Sequence, residues 1–240
     1  MTPVLLQVDQ GVATLTLNRP ESRNALNLAM CEELIDCAQK LAADPGVRLV
    51  FVRAAGTTFC AGADLKERQG MTEAQVRERR MKGFAAYAAL EALPMPVVAV
   101  VHGPAVGSGV EIAGACDFIV ATMHGSFRTP EALRGTVGAT QRLPRVLGKR
   151  LAKDMMFTGR ELSAEEAREA GFVARVVHHD ELEGALEEIR RMIVEAPPAS
   201  LRLAKRCIDQ GVERDPRGAL DTEIAAIEEQ LAAGTWMGRK

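Results

Sequence analysis

Glu111 is the carboxylate in this sequence best placed to do chemistry. It lies in a glycine-rich, otherwise apolar stretch, His102–Asp117, with the sequence HGPAVGSGVEIAGACD. Before it, Val97–Val101 is wholly apolar and mostly β-branched, bounded by Pro94, Pro96 and a glycine loop, which predicts a short buried strand. After the loop (Gly103, Gly107, Ser108, Gly109), apolar residues from Val110 to Cys116 recur at helical spacing. Glycine lets backbone approach a neighbour closely and adopt dihedrals closed to other residues. The first amides of a helix have no internal partner and carry partial positive charge. Strand, tight loop and helix start together form a site for a negative oxygen, with Glu111 in the first helical turn beside it.

A second stretch repeats the plan. Residues 47–66 run from an apolar strand through a loop ending Cys60-Ala-Gly-Ala-Asp64. If the two strands are parallel neighbours, both loops fall on one edge of the sheet, where ligands bind in such folds. The backbone N–H groups near Ala63 and Ser108 could then converge on one oxygen as an oxyanion hole, each donor worth about 3 kcal/mol. The alternative is a pair of ordinary strand-to-helix turns with glycine present for packing.

The elements that must position these groups follow from periodicity. Val12–Leu17 alternates as a strand does, and Asn18–Asn24 is a turn. Asn27 caps a helix with Met30, Leu34, Ile35, Ala38 and Leu41 on one face, stopped at Asp44-Pro45-Gly46. Asp64 is expected to open a polar helix, with the charged stretch Lys66–Arg80 a mobile or solvated helix. Phe118–Ala121 is a further strand, and Gln141–Met156 a helix with an early proline. Ser163–Glu166 is a capping box closed at Gly171, and Asp180–Glu195 and Ala199–Gln210 are amphipathic helices. Alternating strands and helices predict an α/β fold with mainly parallel strands. The expected organisation is a core over residues 1–195 and a helical region over 196–240, divided at Pro197-Pro198.

Composition narrows the function classes. The chain has 240 residues, 47% of them hydrophobic, enough for one large core, and a net charge of −2. Balanced charge gives no argument for nucleic acid or an acidic membrane surface. No apolar run approaches the roughly 20 residues of a membrane helix. Five scattered cysteines with no CxxC pair suggest reduced thiols in a cytoplasmic protein, and the histidines have no metal-ligand spacing.

Phe59-Cys-Ala-Gly-Ala-Asp-Leu-Lys66 resembles the AGAD segment of the enoyl-CoA hydratase/isomerase (crotonase) superfamily, and Gly103–Asp117 resembles that family's second glycine-rich segment. Arg19-Pro-Glu-Ser-Arg-Asn-Ala-Leu-Asn27 resembles its N-terminal loop. Phe127-Arg-Thr-Pro-Glu131 with Gly138-Ala-Thr-Gln-Arg-Leu143, and then Thr158–Gly171, resemble its later active-site region. Each segment alone is weak; all of them in the family's order, over residues 1 to about 210, are strong.

The resemblance implies a crotonase-like ββα superhelix core and a C-terminal trimerisation region, giving a homotrimer or a dimer of trimers. It implies an oxyanion hole at the amides of Ala63 and Ser108; the family usually has glycine where Ser108 stands. Glu111 and Glu131 match the two acid/base carboxylates of the hydratases. Arg23 and Lys66 match candidates for the coenzyme A phosphates, with Ala25, Ala61, Asp64, Leu65, Gly107 and Pro130 around the substrate. The implied function is hydration of a 2-trans-enoyl-CoA in fatty-acid β-oxidation, with no metal and no cofactor beyond the coenzyme A of the substrate. A Δ3,Δ2-enoyl-CoA isomerase and a non-catalytic CoA-thioester-binding scaffold are the alternatives. Two departures stand out. The loop Ala132–Thr140 is about three residues shorter than usual for the hydratases. The tail from Asp221, ending Gly234-Thr-Trp-Met-Gly-Arg-Lys240, lacks the family's closing helix pattern, so a truncated or different C-terminus is expected.

Overall fold

The structure is a computed structural model and describes residues 2–234. Among these residues the strands are β1 (Val4–Asp9), β2 (Val12–Leu17), β3 (Leu49–Ala54), β4 (Val97–Val101), β5 (Pro104–Val106), β6 (Phe118–Thr122), β7 (Ser126–Arg128), β8 (Glu161–Ser163) and β9 (Arg175–Val177). The helices are α1 (Leu28–Ala43), α2 (Glu73–Glu91), α3 (Ser108–Gly114), α4 (Arg142–Thr158), α5 (Ala164–Glu169), α6 (Leu182–Glu195), α7 (Pro198–Gly211) and α8 (Pro216–Ala232). One sheet has the order β1-β2-β3-β4-β6-β9; a smaller one has the order β5-β7-β8. β1 and β2 form an antiparallel hairpin, and every later pairing in the large sheet is parallel.

Strand alternation divides the core in two. Val50, Val52, Val97, Ala99 and Val101 face one apolar cluster with α1, while Leu49, Phe51, Val98 and Val100 face another that includes Leu182, Leu186 and Ile189 of α6. β4 is buried along its whole length, which is why Val97–Val101 carries no polar residue. Asn27 caps α1 as expected, its side chain accepting from the Met30 amide at 2.9 Å.

Two sequence expectations are corrected. No helix starts at Asp64: residues 65–70 form turns, and α2 begins at Glu73 under a capping box of Thr72 and Gln75. The Asp64 carboxylate instead accepts from Arg19 at 3.0 Å and from the Lys66 amide at 3.1 Å, so it pins a turn. The tail after Asp221 is also helical as far as Ala232. α8 starts at Pro216 with Asp215 accepting from the Arg217 and Gly218 amides, a standard N-cap ahead of proline. The expected departure beyond residue 234 lies outside the described residues.

Candidate active site

β3 and β4 are parallel neighbours, so the loops that follow them do meet at one end of the sheet. The contact is backbone to backbone. Cys60 bridges Ala105, and the Val106 amide donates to the Cys60 carbonyl at 2.8 Å. Gly109 is obligatory here, because a Cβ would lie 2.5 Å from the Cys60 carbonyl oxygen.

Leu26 orients Ala63. The Leu26 amide donates to the Gly62 carbonyl at 2.8 Å, and the Asp64 amide donates to the Leu26 carbonyl at 2.9 Å. That is one parallel bridge, and it turns the N–H of Ala63 itself to the opposite side. Ser108 is the first residue of α3, so its N–H has no partner within the helix. Ala63 and Ser108 border the same cavity of about 80 Å³.

Glu111 and Glu131 border that cavity too. Glu111 arrives one turn into α3. Glu131 arrives through the small sheet: β5 runs parallel to β7, and the Gly107 amide donates to the Arg128 carbonyl at 2.8 Å, bringing the segment after β7 beside the α3 start. Gly107 has φ 52° and ψ −107°, and a Cβ there would collide with Glu131 Oε1. Glycine at this position therefore makes room for the carboxylate.

The two carboxylates have unlike surroundings. Glu111 is buried, and its Oε2 accepts from Arg142 Nη1 at 3.0 Å. Arg142 also reaches Glu91 at 2.5 Å and lies 5.9 Å from the centre of the Tyr87 ring. Glu131 has no such cation in contact, and its Oε2 is buried without a hydrogen-bond partner. Burial pushes the Glu131 carboxyl above its ordinary range, and the nearby charge of Glu111 adds to the rise. An unpaired buried oxygen is destabilising by about 1–3 kcal/mol, so it marks a place where folding stability has yielded to another demand.

The chamber opens on two sides. Beyond Ala63 and Glu131 is a cavity of about 690 Å³ bordered by Ala61, Leu65, Gly107 and Pro130, with Arg68 and Arg134. Beyond Glu111 is a cavity of about 920 Å³ running along α2. Arg23, Ala25, Asp64 and Lys66 border none of these three spaces. Arg23 and Lys66 are exposed near the mouth of the first: the Ala61 amide donates to the Arg23 carbonyl at 3.0 Å, and Lys66 follows Leu65. Asp64 is held by Arg19. Burial alone would raise its carboxyl, but the hydrogen bonds from Arg19 and the Glu67 and Lys66 amides keep it below the ordinary range.

Sequence reasoning missed Arg142, Arg79 and Arg80. Arg79 is buried at the chamber wall and bonds both the Leu26 carbonyl and Glu67, tying α2 to the residue whose backbone orients Ala63. Arg80 bonds the Thr136 hydroxyl at 3.1 Å and the Val137 carbonyl, fastening the short loop Ala132–Thr140 to α2. Among the described residues, no three His, Cys, Asp or Glu side chains are grouped as a metal ion would need.

A mainly parallel sheet flanked by helices brings two glycine-rich loops and two carboxylates to one chamber of an α/β protein. The chain belongs to the enoyl-CoA hydratase/isomerase family, whose model matches residues 7–234. It is 36% identical over 233 residues to an enoyl-CoA isomerase/hydratase of Mycosarcoma maydis, covering 92% of this chain and 85% of that protein. It is 36% identical over 230 residues to the short-chain-enoyl-CoA hydratase of Clostridium acetobutylicum, covering 94% and 88%. The crystal structure of an enoyl-CoA hydratase from Bacillus anthracis superposes with a TM-score of 0.91 at 38% identity, covering 94% of this chain and 90% of that one.

Proposed function

We propose that this chain is an enoyl-CoA hydratase that adds water syn across a 2-trans-enoyl-CoA. The observation that carries the reading is the meeting of Glu111, Glu131 and the outward amides of Ala63 and Ser108 in one small chamber. In this reaction water oxygen bonds to the β-carbon, and the alkene electrons move toward the thioester oxygen. That developing charge would be met by the Ala63 and Ser108 amides. Glu111, oriented by the hydrogen bond it accepts from Arg142, accepts a proton from the water. Glu131, whose burial favours the protonated form, delivers a proton to the α-carbon. Coenzyme A enters as part of the substrate, and the reaction needs no separate cofactor.

The arginines of the 690 Å³ cavity suit the coenzyme A arm, with the exposed Arg23 and Lys66, neighbours of its lining residues Ala61 and Leu65, for the phosphates. The cysteines are all free, which fits a cytoplasmic protein, and no described helix is long and apolar enough to cross a membrane. α7, α8 and the turn between them expose Ile208, Val212, Leu220 and Ile227, an apolar surface suited to contact between copies in a trimer.

One observation favours a second reading, Δ3,Δ2-enoyl-CoA isomerase. Arg142 occupies Glu111, leaving Glu131 as the freer proton carrier, and a double-bond shift needs only one. The test is direct. Purified protein is given crotonyl-CoA, followed by loss of the conjugated thioester absorbance, and a 3-enoyl-CoA, followed by its gain. Faster hydration supports the hydratase, faster migration the isomerase, and binding of both without turnover supports a scaffold and rejects the enzyme.

A further inference from the structure

The cavities on either side of the reaction chamber share Val76, Arg80 and Val137 but differ beyond them. The one beyond Glu131 adds Arg68 and Arg134 and the backbone of Ala61–Ala63 and Gly107. The one beyond Glu111 is a groove of about 920 Å³ floored by Val76, Met81, Phe84 and Ala88 of α2, with Val137 opposite. Resting on the enzyme reading above, we propose that this groove takes the apolar chain of a medium-length enoyl thioester, octenoyl to dodecenoyl. Met81 and Phe84 are its specificity-determining residues.

Continuity with the chamber identifies the occupant. Phe84, Glu111, Val137, Gly138 and Ala139 border both spaces. The chamber itself measures about 80 Å³, room for a few water-sized groups. It holds the thioester carbonyl, the double bond and the attacking water, so atoms beyond the β-carbon must leave it. One exit passes Arg68 and Arg134, cations suited to phosphates. The other leads past Glu111 into the groove, where Arg77 and Arg142 also stand but Met71, Met81, Phe84 and Ala88 add apolar lining that the first exit lacks.

The groove also has the surface such a chain would cover. Met81 is 44%, Phe84 43% and Val137 67% exposed, three large apolar side chains gathered beside a polar reaction site. Apolar area in contact with water is the driving force for burying a hydrocarbon. Glu73, Arg77, Arg80 and Arg142 also border the groove, and long charged side chains can pack their stems on a chain while their heads stay in water. Arg80 fixes Thr136 and Val137 to α2, so both walls stand in place before substrate arrives. Each buried methylene should then raise kcat/KM by about two- to fourfold.

The experiment is a chain-length series, crotonyl- to dodecenoyl-CoA, with wild type, Ala88→Trp and Met81→Trp. Neither substituted residue borders the chamber. The expected result is a kcat/KM that rises with length in wild type. The decenoyl-to-crotonyl ratio should fall about tenfold or more in the variants, whose larger side chains fill the groove. Circular dichroism checks their fold. A flat or falling wild-type series, or a ratio unchanged in both folded variants, overturns the proposal. If no enoyl-CoA is turned over, the enzyme reading fails by itself, and calorimetric titration with saturated acyl-CoAs of the same lengths decides the groove. Affinity that tightens with length supports it, and affinity independent of length overturns it.

Discussion

Arg142 Nη1 lies 3.0 Å from Glu111 Oε2, and the same guanidinium holds Glu91 at 2.5 Å. One cation is shared between a carboxylate in the reaction chamber and one outside it. The guanidinium also rests over the Tyr87 ring, and Tyr87 and Ser108 both border the chamber. Charge, orientation and the oxyanion loop are thereby joined through one residue at the start of α4.

Sharing gives two variants unlike effects. Arg142→Gln removes the charged donor that orients Glu111 and should lower kcat by about tenfold or more. Glu91→Gln frees Arg142 for Glu111 alone and should leave kcat unchanged or raise it. Steady-state kinetics in which Glu91→Gln lowers kcat as far as Arg142→Gln would contradict the sharing.

Glu131 links function to stability. Its carboxyl is raised in the folded protein, so the folded state binds the proton more tightly than the unfolded state. Stability should therefore fall as pH rises from the ordinary glutamate range of about 4.3 through the raised value, and the loss persists above it. Glu131→Gln removes the titration. The variant should melt above wild type at neutral pH, and the gap should close toward about pH 4. Melting curves across that range would show a constant gap if burial of Glu131 carried no penalty.

Much of this arrangement was legible in the sequence, and the gaps have physical causes. Val97–Val101 announced a strand buried on both faces, and the glycines around Ser108 announced a crowded loop. Asp64 was misjudged because its partner, Arg19, is 45 residues away, and an acid before polar residues looks like a cap. β1 was missed because it is an edge strand with only Val4 fully buried, so it lacks clean alternation. β5, β7 and β8 are three residues each, too short for a period, yet they place Glu131. Arg142 lies in a segment that resembles the family's active-site region, but nothing local pairs it with Glu111. Its role exists only because α4 crosses α3, 31 residues after Glu111.

Arg23 and Lys66 test the coenzyme A side. Both are exposed near the mouth of the arginine-lined cavity. Arg23→Ala and Lys66→Ala should raise KM with kcat nearly unchanged, since they would bind ground state and transition state alike. The effect should shrink with added salt. A fall in kcat alone in steady-state kinetics would remove them from phosphate binding.

The C-terminal helices should associate. Ile208 is 64% exposed on α7, Val212 76% exposed just after it, and Ile227 47% exposed on α8. Light scattering at micromolar concentration should give three or six times the chain mass, and Val212→Asp should lower it. A monomer for the unmodified protein would refute this.

The central claim is that Glu111 and Glu131 act on one substrate as base and acid. The measurement is hydration of crotonyl-CoA by Glu111→Gln, Glu131→Gln and the double variant. Each single change should lower kcat by about 10²–10⁴-fold. The double change should cost far less than the product of the two, because groups that act as a unit are not additive. Near-normal hydration in either folded single variant, or a double-variant loss equal to the product, would contradict the account.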